Sequence, residues 1–401
     1  MYQLLSGLTV IEASSFIASP SAGLYCAQMG ADVIRVDQIG GGPDFHRWPV
    51  TDGGDSLYWE NLNRAKRSVA LDLGSEEGRA ILRELVRETG QFITNFPADG
   101  FLSHERLAQG RPDLVTVRVM GWADGSPALD YTVNNAVGYP MMTGPGPEPV
   151  NHVLPTWDLL SGAYAAFALL AAMRRREQTG QGGEVRIPLS DVAIGTAANL
   201  GGIAEVLYNR ANRERLGNTV YGLFGRDFVT ADGMRTMIVV VTPRQWRNLL
   251  DVLNLAPEVA RIEQARGTSF ATDDGARFTH RDALYPLFER AIAMRDHADL
   301  AAAFDANGIV HSPYRTMLDA ANDPRLVADN PIFSAFAANP SGVAYPAAGA
   351  FATVPDAERQ PAQAAPRNGE HTEQVLAQVL GLSGGAIGDL IDRGIAARFG
   401  G

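Results

Sequence analysis

Asp158 is the one acidic side chain in an apolar and small stretch, Leu154 to Gly162. Its neighbours include Pro155, Trp157 and Leu159, which offer few polar groups. An aspartate that is poorly hydrated in such surroundings can act as a nucleophile and form a covalent acyl intermediate. An aspartate at the start of a helix is also a common N-cap, because its carboxylate accepts free backbone N–H groups. The residue types alone leave both interpretations open.

The helix that would position Asp158 follows it directly. Residues Leu159 to Met173 are almost continuously apolar and rich in good helix formers, and three arginines suited to a helix C-terminus come next. We therefore expect a largely buried helix with Asp158 at its N-terminus. Because the stretch is shorter than the roughly 20 residues that cross a membrane, we expect a core helix and no membrane partner.

Strands and helices alternate before this region. Predicted strands are Leu8–Ala13, Ala31–Asp37, Ser68–Leu73, Gln91–Asn95 and Asp113–Met120, with predicted helices at Pro20–Met29 and Glu76–Arg87. Such alternation predicts an α/β fold with a Rossmann-like large domain, in which helices cover a mainly parallel sheet. The turn after the first strand lacks the glycines of a dinucleotide fingerprint, so we expect neither NAD nor FAD.

A polar, arginine-rich stretch, Asn209 to Thr219, marks a predicted linker. We expect residues 1–208 to form the first part of the large domain. Residues 209–328 would form the linker and a small α+β domain, which starts with a hairpin around Asp232-Gly233. Residues 329–401 would return and complete the large domain.

Composition excludes several classes of partner. The net charge of −11 argues against nucleic acid and anionic membrane surfaces, since both are polyanions. Cys26 is the sole cysteine, and the seven histidines lack ligand spacing, so we expect no disulfide framework and no metal site. The first residues do not have the pattern of a signal peptide, and we expect a cytoplasmic protein.

Several longer motifs resemble a known family. They are GLTVIEASSFIASPSAGLYCAQMGADVIRVD, NRAKRSVALDLGSEEGR, ITNFP, the region around Asp158, TGQGGEVRIPLSDV and PRNGEHTEQVLAQVLGL. Together they span nearly the whole chain and are similar to the family III CoA-transferases, the group that also contains the α-methylacyl-CoA racemases. The resemblance implies an interlocked homodimer, an acyl-CoA thioester as substrate and no permanently bound cofactor.

The same resemblance places the family's catalytic aspartate on Asp158. It implies that this carboxylate attacks the thioester carbonyl, giving a mixed anhydride and then an aspartyl-CoA thioester. The motifs GGGPDFHRWPVT, VNHVLPTWD and YGLFGRDF are similar to a branch that moves CoA between the two carboxyl groups of one methyl-branched, unsaturated dicarboxylic acid. By motif position, Arg47 or Arg226 would hold the free carboxylate, with His152 near the nucleophile in sequence.

Contacts to CoA carry over from the family by the same motifs. They fall on Ser15, Phe16, Ile17, Gln38, Leu71, Asp72, Leu73, Asn95, Phe96 and Pro97. Two of these positions depart from the family pattern, since Gln38 stands where arginine is frequent and Ile17 where some transferases carry glutamine.

Three alternative functions follow from the same residues. An intermolecular acyl-CoA:carboxylate CoA-transferase, which uses a separate acid, stays open. A racemase is disfavoured, because racemases carry a histidine before an aspartate where this chain has Leu129-Asp130. A non-enzymatic CoA-thioester binding protein would not need the nucleophile that Asp158 retains.

Overall fold

The computed structural model describes residues 1–335 and 339–400, and the remaining residues of the predicted return segment lie outside that description. Its residues group into two compact units. The first unit contains residues 1–138, 152–210 and 324–401, and the second contains residues 139–151 and 211–323. The predicted boundaries differ from this division, because segment 139–151, assigned from the sequence to the large domain, groups with the second unit.

The β-strands are numbered in chain order. They are β1 Thr9–Ala13, β2 Asp32–Gln38, β3 Arg67–Leu71, β4 Gln91–Thr94, β5 Val115–Met120, β6 Gly183–Pro188, β7 Phe224–Val229, β8 Arg235–Val240, β9 Val310–Pro313, β10 Phe333–Ala335, β11 Pro346–Ala348 and β12 Ala396–Ala397.

The α-helices are numbered in the same way, and two short 3₁₀ helices lie at Pro43–His46 and Gly100–Leu102. The α-helices are α1 Ala18–Gln28, α2 Leu57–Leu62, α3 Glu76–Thr89, α4 His104–Leu107, α5 Asp130–Ala136, α6 Tyr139–Met142, α7 Thr156–Thr179, α8 Leu189–Asn199, α9 Gly202–Asn209, α10 Pro243–Leu253, α11 Ala256–Arg266, α12 Asp274–Thr279, α13 Arg281–Ile292, α14 His297–Ala306, α15 Met317–Asn322, α16 Thr372–Leu380 and α17 Gly384–Asp392.

The first unit is built on a seven-stranded sheet in the order β12-β3-β2-β1-β4-β5-β6. Strands β1 to β6 pair in parallel, and only β12 runs antiparallel to its neighbour β3. This confirms the predicted α/β fold with a mainly parallel, Rossmann-like sheet. Because parallel strands end at the same edge, the loops after β1, β2, β3 and β4 meet there.

Local sequence explains why these elements form. Strands β1, β3, β4 and β5 are almost entirely buried, as expected where helices cover both faces, whereas the edge strand β6 is mostly only partly buried. Helix α3 begins at Ser75, whose hydroxyl accepts the backbone N–H of Gly78, and it ends at Gly90 in the left-handed conformation. Its apolar face joins β1–β4 and the return helices α16 and α17 in one hydrophobic core.

Helix α7 packs closely against α1 in the first unit. A Cβ atom at Gly162 would lie 2.6 Å from the Ala18 carbonyl oxygen and 2.7 Å from the Ser21 Cβ, so the two helices can approach this closely only because that residue is glycine. The contact lies one turn beyond Asp158. It fixes the helix that carries this residue against α1.

The expectation that this helix is largely buried is wrong for the single chain. Only one face of α7 is covered, and Tyr164 and Phe167 are 54% and 64% exposed. Among the described residues, α7 is the helix that is long and apolar enough to cross a membrane, a criterion that a core helix of a soluble protein also meets.

The residue types of Ser190–Tyr208 favour one continuous helix. The structure divides it into α8 and α9, because Leu200 ends the first helix and Gly201 takes a positive φ of 79°.

The second unit contains an antiparallel sheet in the order β7-β8-β9. The predicted hairpin around Asp232-Gly233 is confirmed, since β7 and β8 pair directly across it. Helices α10, α13 and α14 cover a core in which Phe224, Trp246 and Phe288 are almost fully buried.

Candidate active site

The N-terminus of α7 is capped from a different helix. Asp130, the first residue of α5, accepts through Oδ2 the backbone N–H groups of Trp157 at 2.6 Å and of Asp158 at 3.1 Å. The N-cap position of α7 is occupied by Pro155, which makes no side-chain hydrogen bond. The N-cap interpretation of Asp158 is therefore wrong, and its own carboxylate is not used to cap the helix.

Asp130 belongs to the site, although the sequence motifs did not identify it as a site residue. It is 1% exposed, and its second oxygen lies 2.6 Å from His152 Nε2. A further link joins the two helices, since Trp157 Nε1 donates to Asn134 Oδ1 at 3.1 Å. The available signal was Pro155 itself, because a proline before the first turn cannot cap the free amides and another polar side chain must do so.

Electrostatics make the Asp158 carboxylate unusual. Burial, with a smaller effect of the neighbouring Asp130 carboxylate, raises its pKa from 3.8 to about 7, although Arg47 opposes this shift. A carboxylate with a raised pKa is more basic, and a poorly hydrated anion is a stronger nucleophile than one in water. With a pKa near 7, about half of this group is ionised at neutral pH.

Arg47 lies close to two aromatic rings. Its guanidinium carbon is 5.4 Å from the centre of the Phe16 ring and 5.0 Å from the centre of the Tyr58 ring, distances at which a cation is attracted to an aromatic face. We call these three residues the aromatic cage. Arg47 also lowers the pKa of Asp158, so the cage lies within electrostatic reach of the proposed nucleophile.

The backbone at Phe16 is held in an uncommon conformation. Its φ of 66° lies in the left-handed region, which side chains other than glycine rarely adopt. Asn95 fixes the residue before it, because its Oδ1 accepts the Ser15 N–H at 3.0 Å and its Nδ2 donates to the Ser15 carbonyl at 2.7 Å. Strain of this kind persists at functional sites when neighbours hold it in place.

A buried arginine donates hydrogen bonds to all three chain segments that carry the aromatic cage. Arg35 is fully buried, and its Nη2 donates to the Asp44 carboxylate at 2.8 Å and to the Ser14 carbonyl at 3.1 Å. Its Nη1 donates to Asn63 Oδ1 at 2.8 Å. These partners lie in the three segments that carry the members of the aromatic cage. One guanidinium therefore sets their relative positions.

Lys66 and Glu12 form a second buried ion pair beneath the same turn. Lys66 Nζ lies 2.8 Å from Glu12 Oε2, and it donates to the Pro20 carbonyl at 2.9 Å and to Asn63 Oδ1 at 2.8 Å. Neither side chain is exposed, and burial lowers the pKa of Lys66 to about 8, although Glu12 opposes the shift. The pair links the end of α2 to the start of α1.

Most residues predicted to contact CoA lie along one edge of the sheet, at the ends of β1 to β4. Gln38 joins two of them, because its Oε1 accepts the Leu73 N–H at 3.0 Å and its Nε2 donates to Asp72 at 3.4 Å. Leu71 is an exception: it is fully buried in the core and offers no surface to a ligand. We remove it from the predicted contacts, and Ile17, at 5% exposure, offers little.

An apolar cavity of about 470 Å³ opens beside this edge. Three of the predicted contacts line it, and the remaining walls come from the turn around the second 3₁₀ helix; the seven residues are Leu73, Phe96, Pro97, Asp99, Gly100, Phe101 and Leu102. Its volume and apolar walls suit a flat ring such as adenine.

The three predicted substrate residues fall in different places. Arg47 and His152 lie in the first unit near Asp158, although His152 is engaged with Asp130. Arg226 lies on β7 of the second unit, where it forms an ion pair with Glu289 at 2.8 Å. Within residues 1–335 and 339–400, no group of three or more His, Cys, Asp or Glu side chains is placed to hold a metal ion.

Comparisons with known proteins agree, over nearly the whole chain, with the family resemblance of the sequence motifs. Residues 5–372 match the family model described as CoA-transferase family III. The 2-methylfumaryl-CoA isomerase of Chloroflexus aurantiacus is 44% identical, over 99% of this chain and 98% of that protein. The succinate–glutarate CoA-transferase of Agrobacterium fabrum is 29% identical, over 94% of this chain and 95% of that protein. A crystal structure of a CAIB/BAIF family protein from Brucella suis is 27% identical and superposes with a TM-score of 0.77, covering 94% of this chain and all of that one.

Proposed function

Because the chain belongs to CoA-transferase family III, we propose that it moves coenzyme A between the two carboxyl groups of 2-methylfumaric (mesaconic) acid, as a mesaconyl-CoA C1–C4 CoA transferase. The C1 thioester would become the C4 thioester within one bound molecule. The acyl group is taken from the name of the relative that is 44% identical over nearly the full length of both chains. The observation that supports this chemistry is the Asp158 carboxylate, which is not used to cap α7 because Asp130 accepts the backbone N–H groups there.

The reaction proceeds through covalent intermediates on Asp158. Its carboxylate attacks the C1 thioester carbonyl, the carbon–sulfur bond breaks, and a mixed anhydride and CoA thiolate result. The thiolate then attacks the aspartyl carbonyl, which releases the dicarboxylate and forms an aspartyl-CoA thioester. The C4 carboxylate attacks that thioester, and the thiolate finally attacks the C4 carbonyl of the new anhydride, so Asp158 is regenerated.

Both intermediates are sensitive to water, and the residues around Asp158 are suited to exclude it. Trp157 is buried directly beside the nucleophile, and the aromatic cage adds two further rings. Water at this position would hydrolyse the anhydride or the thioester and end the cycle. Arg47 supplies the positive charge that the free carboxylate of a half-thioester requires.

The CoA portion would lie along the sheet edge formed by the ends of β1 to β4. The adenine ring fits the apolar cavity beside Leu73, Phe96 and Pro97. Gln38 would offer hydrogen bonds rather than a positive charge to this end of the ligand, because no arginine stands at that position. Coenzyme A enters and leaves as a thioester substrate, and we expect no permanently bound cofactor.

We also propose that the protein works as an interlocked homodimer. Helices α7, α8 and α9 of the first unit carry a row of exposed apolar side chains, and Leu207 and Tyr208 of α9 are 71% and 90% exposed. Apolar surface of this extent marks an interaction site on a soluble protein. Sedimentation equilibrium should give twice the chain mass of 43.0 kDa. The cytoplasmic location stays a prediction.

Intermolecular transfer is the second candidate, favoured by the likeness to succinate–glutarate CoA-transferase. One experiment separates the two. Purified protein is incubated with mesaconyl-C1-CoA without added acid, and the two regioisomers are followed by chromatography. The C4 thioester should form with the wild type and not with Asp158→Ala. Conversion that requires an added dicarboxylic acid would support the intermolecular reaction, and activity in Asp158→Ala would refute the mechanism.

A further inference from the structure

The hydroxyl group of Tyr58 is a buried donor without a hydrogen bond in the described part of the chain. Tyr58 is the second residue of α2, a helix whose N-cap is Ser56. The Ser56 hydroxyl accepts the Trp59 N–H at 3.1 Å and donates to the Arg47 carbonyl at 2.5 Å. The start of α2 and the backbone of Arg47 are therefore held together, and the Tyr58 ring is fixed beneath the guanidinium.

Arg47 lowers the pKa of this hydroxyl, and the carboxylates of Asp158 and Asp44 raise it, so all three charged groups lie within electrostatic reach of it. Burial raises the pKa of Tyr58 above its ordinary value, so the group stays protonated at neutral pH and keeps an O–H that can donate. A buried donor that lacks a partner is unfavourable, and a ligand acceptor that completes it is correspondingly preferred.

We propose that Tyr58 donates a hydrogen bond to the free carboxylate of the bound half-thioester, beside the Arg47 guanidinium, and so selects dicarboxylyl over monocarboxylyl thioesters. This inference rests on the proposed function, because it requires the acyl group to lie between Asp158 and the aromatic cage. Arg47 alone would provide charge. The Tyr58 hydroxyl adds a donor of fixed direction. A thioester with a methyl group in place of the free carboxylate leaves this donor without a hydrogen bond, and a site built to hydrogen-bond a polar group binds such an analogue much more weakly.

The test uses Tyr58→Phe, which keeps the aromatic face under Arg47 and removes only the O–H group. Two ligands are compared: mesaconyl-C1-CoA, and tiglyl-CoA, which carries a methyl group where mesaconyl-C1-CoA carries its free carboxylate. We expect KM for mesaconyl-C1-CoA to rise about tenfold with little change in kcat, since a hydrogen bond to a charged group is lost. The inhibition constant of tiglyl-CoA should stay within about twofold, because it never made that bond.

Tyr25→Phe is the matched control, since Tyr25 lies on α1 with its ring against Phe351. It should leave both constants unchanged. If Tyr58→Phe weakens both ligands equally, lowers kcat alone, or alters neither ligand, the inference is overturned while the proposed function stands. If the wild type does not convert mesaconyl-C1-CoA, the proposed function fails and the inference fails with it.

Discussion

Replacing Asp158 with asparagine should remove a pH-dependent loss of stability from the protein. Burial and the Asp130 carboxylate raise the pKa of Asp158 from 3.8 to about 7 in the folded state. Between these two pH values the folded protein holds a proton that the unfolded chain has released. The free energy of unfolding therefore falls as the pH rises from about 4 to about 7, and the loss is complete above that.

The magnitude follows from the size of the shift. One pKa unit corresponds to about 1.4 kcal/mol, so the full effect of this group is at most about 4 kcal/mol. About 3 kcal/mol of it should develop between pH 5 and pH 8, because part is already present at pH 5. The Asp158→Asn protein lacks the titrating group and resembles the protonated state. The difference in free energy of unfolding between Asp158→Asn and the wild type should therefore grow by about 3 kcal/mol from pH 5 to pH 8.

The assay is urea unfolding of both proteins at four pH values between about 5 and 8, followed by tryptophan fluorescence. One protein concentration is used throughout, because the stability of a homodimer depends on it. Asp52→Asn, at an exposed aspartate, is the matched control and should follow the wild type. A constant difference between wild type and Asp158→Asn at every pH would refute the reasoning, since it would mean that Asp158 titrates alike in both states.

Three further predictions concern neighbouring groups. Arg47→Lys keeps the charge but loses the planar guanidinium that can make two hydrogen bonds to a carboxylate, so KM for mesaconyl-C1-CoA should rise about tenfold while kcat changes little. An unchanged KM in steady-state kinetics would exclude Arg47 as the carboxylate ligand. Asp130→Asn removes a negative charge beside Asp158, so the acid limb of the pH profile of kcat/KM should move to lower pH; a lower plateau with no shift would indicate a positioning effect only. Lys66→Met removes the closer of the two cations paired with the buried Glu12 and leaves only Arg35, at 3.5 Å, so it should cost about 3 kcal/mol in urea unfolding, and adding Glu12→Gln should recover part of that loss if the ion pair is the cause.

The sequence by itself determined the fold class, the family and the nucleophile candidate. Alternating short strands and helices predict a parallel sheet whatever the side chains at its edge, because periodicity is a local property of the chain. Long motifs around Asp158 and in the first 100 residues carried the family resemblance, which the comparisons confirm. These signals are contiguous in sequence, so no knowledge of tertiary contacts was needed to find them.

Only the tertiary structure decided what surrounds that nucleophile. Asp130 is 28 residues from Asp158, and nothing local indicates that one caps the helix of the other. The cage residues Phe16, Arg47 and Tyr58 come from three separate segments, and their proximity depends on sheet order and on the buried Arg35. Burial was also misjudged from the sequence: α7 is apolar yet half exposed in one chain. Hydropathy records what a residue prefers, whereas long-range packing determines which contacts it makes.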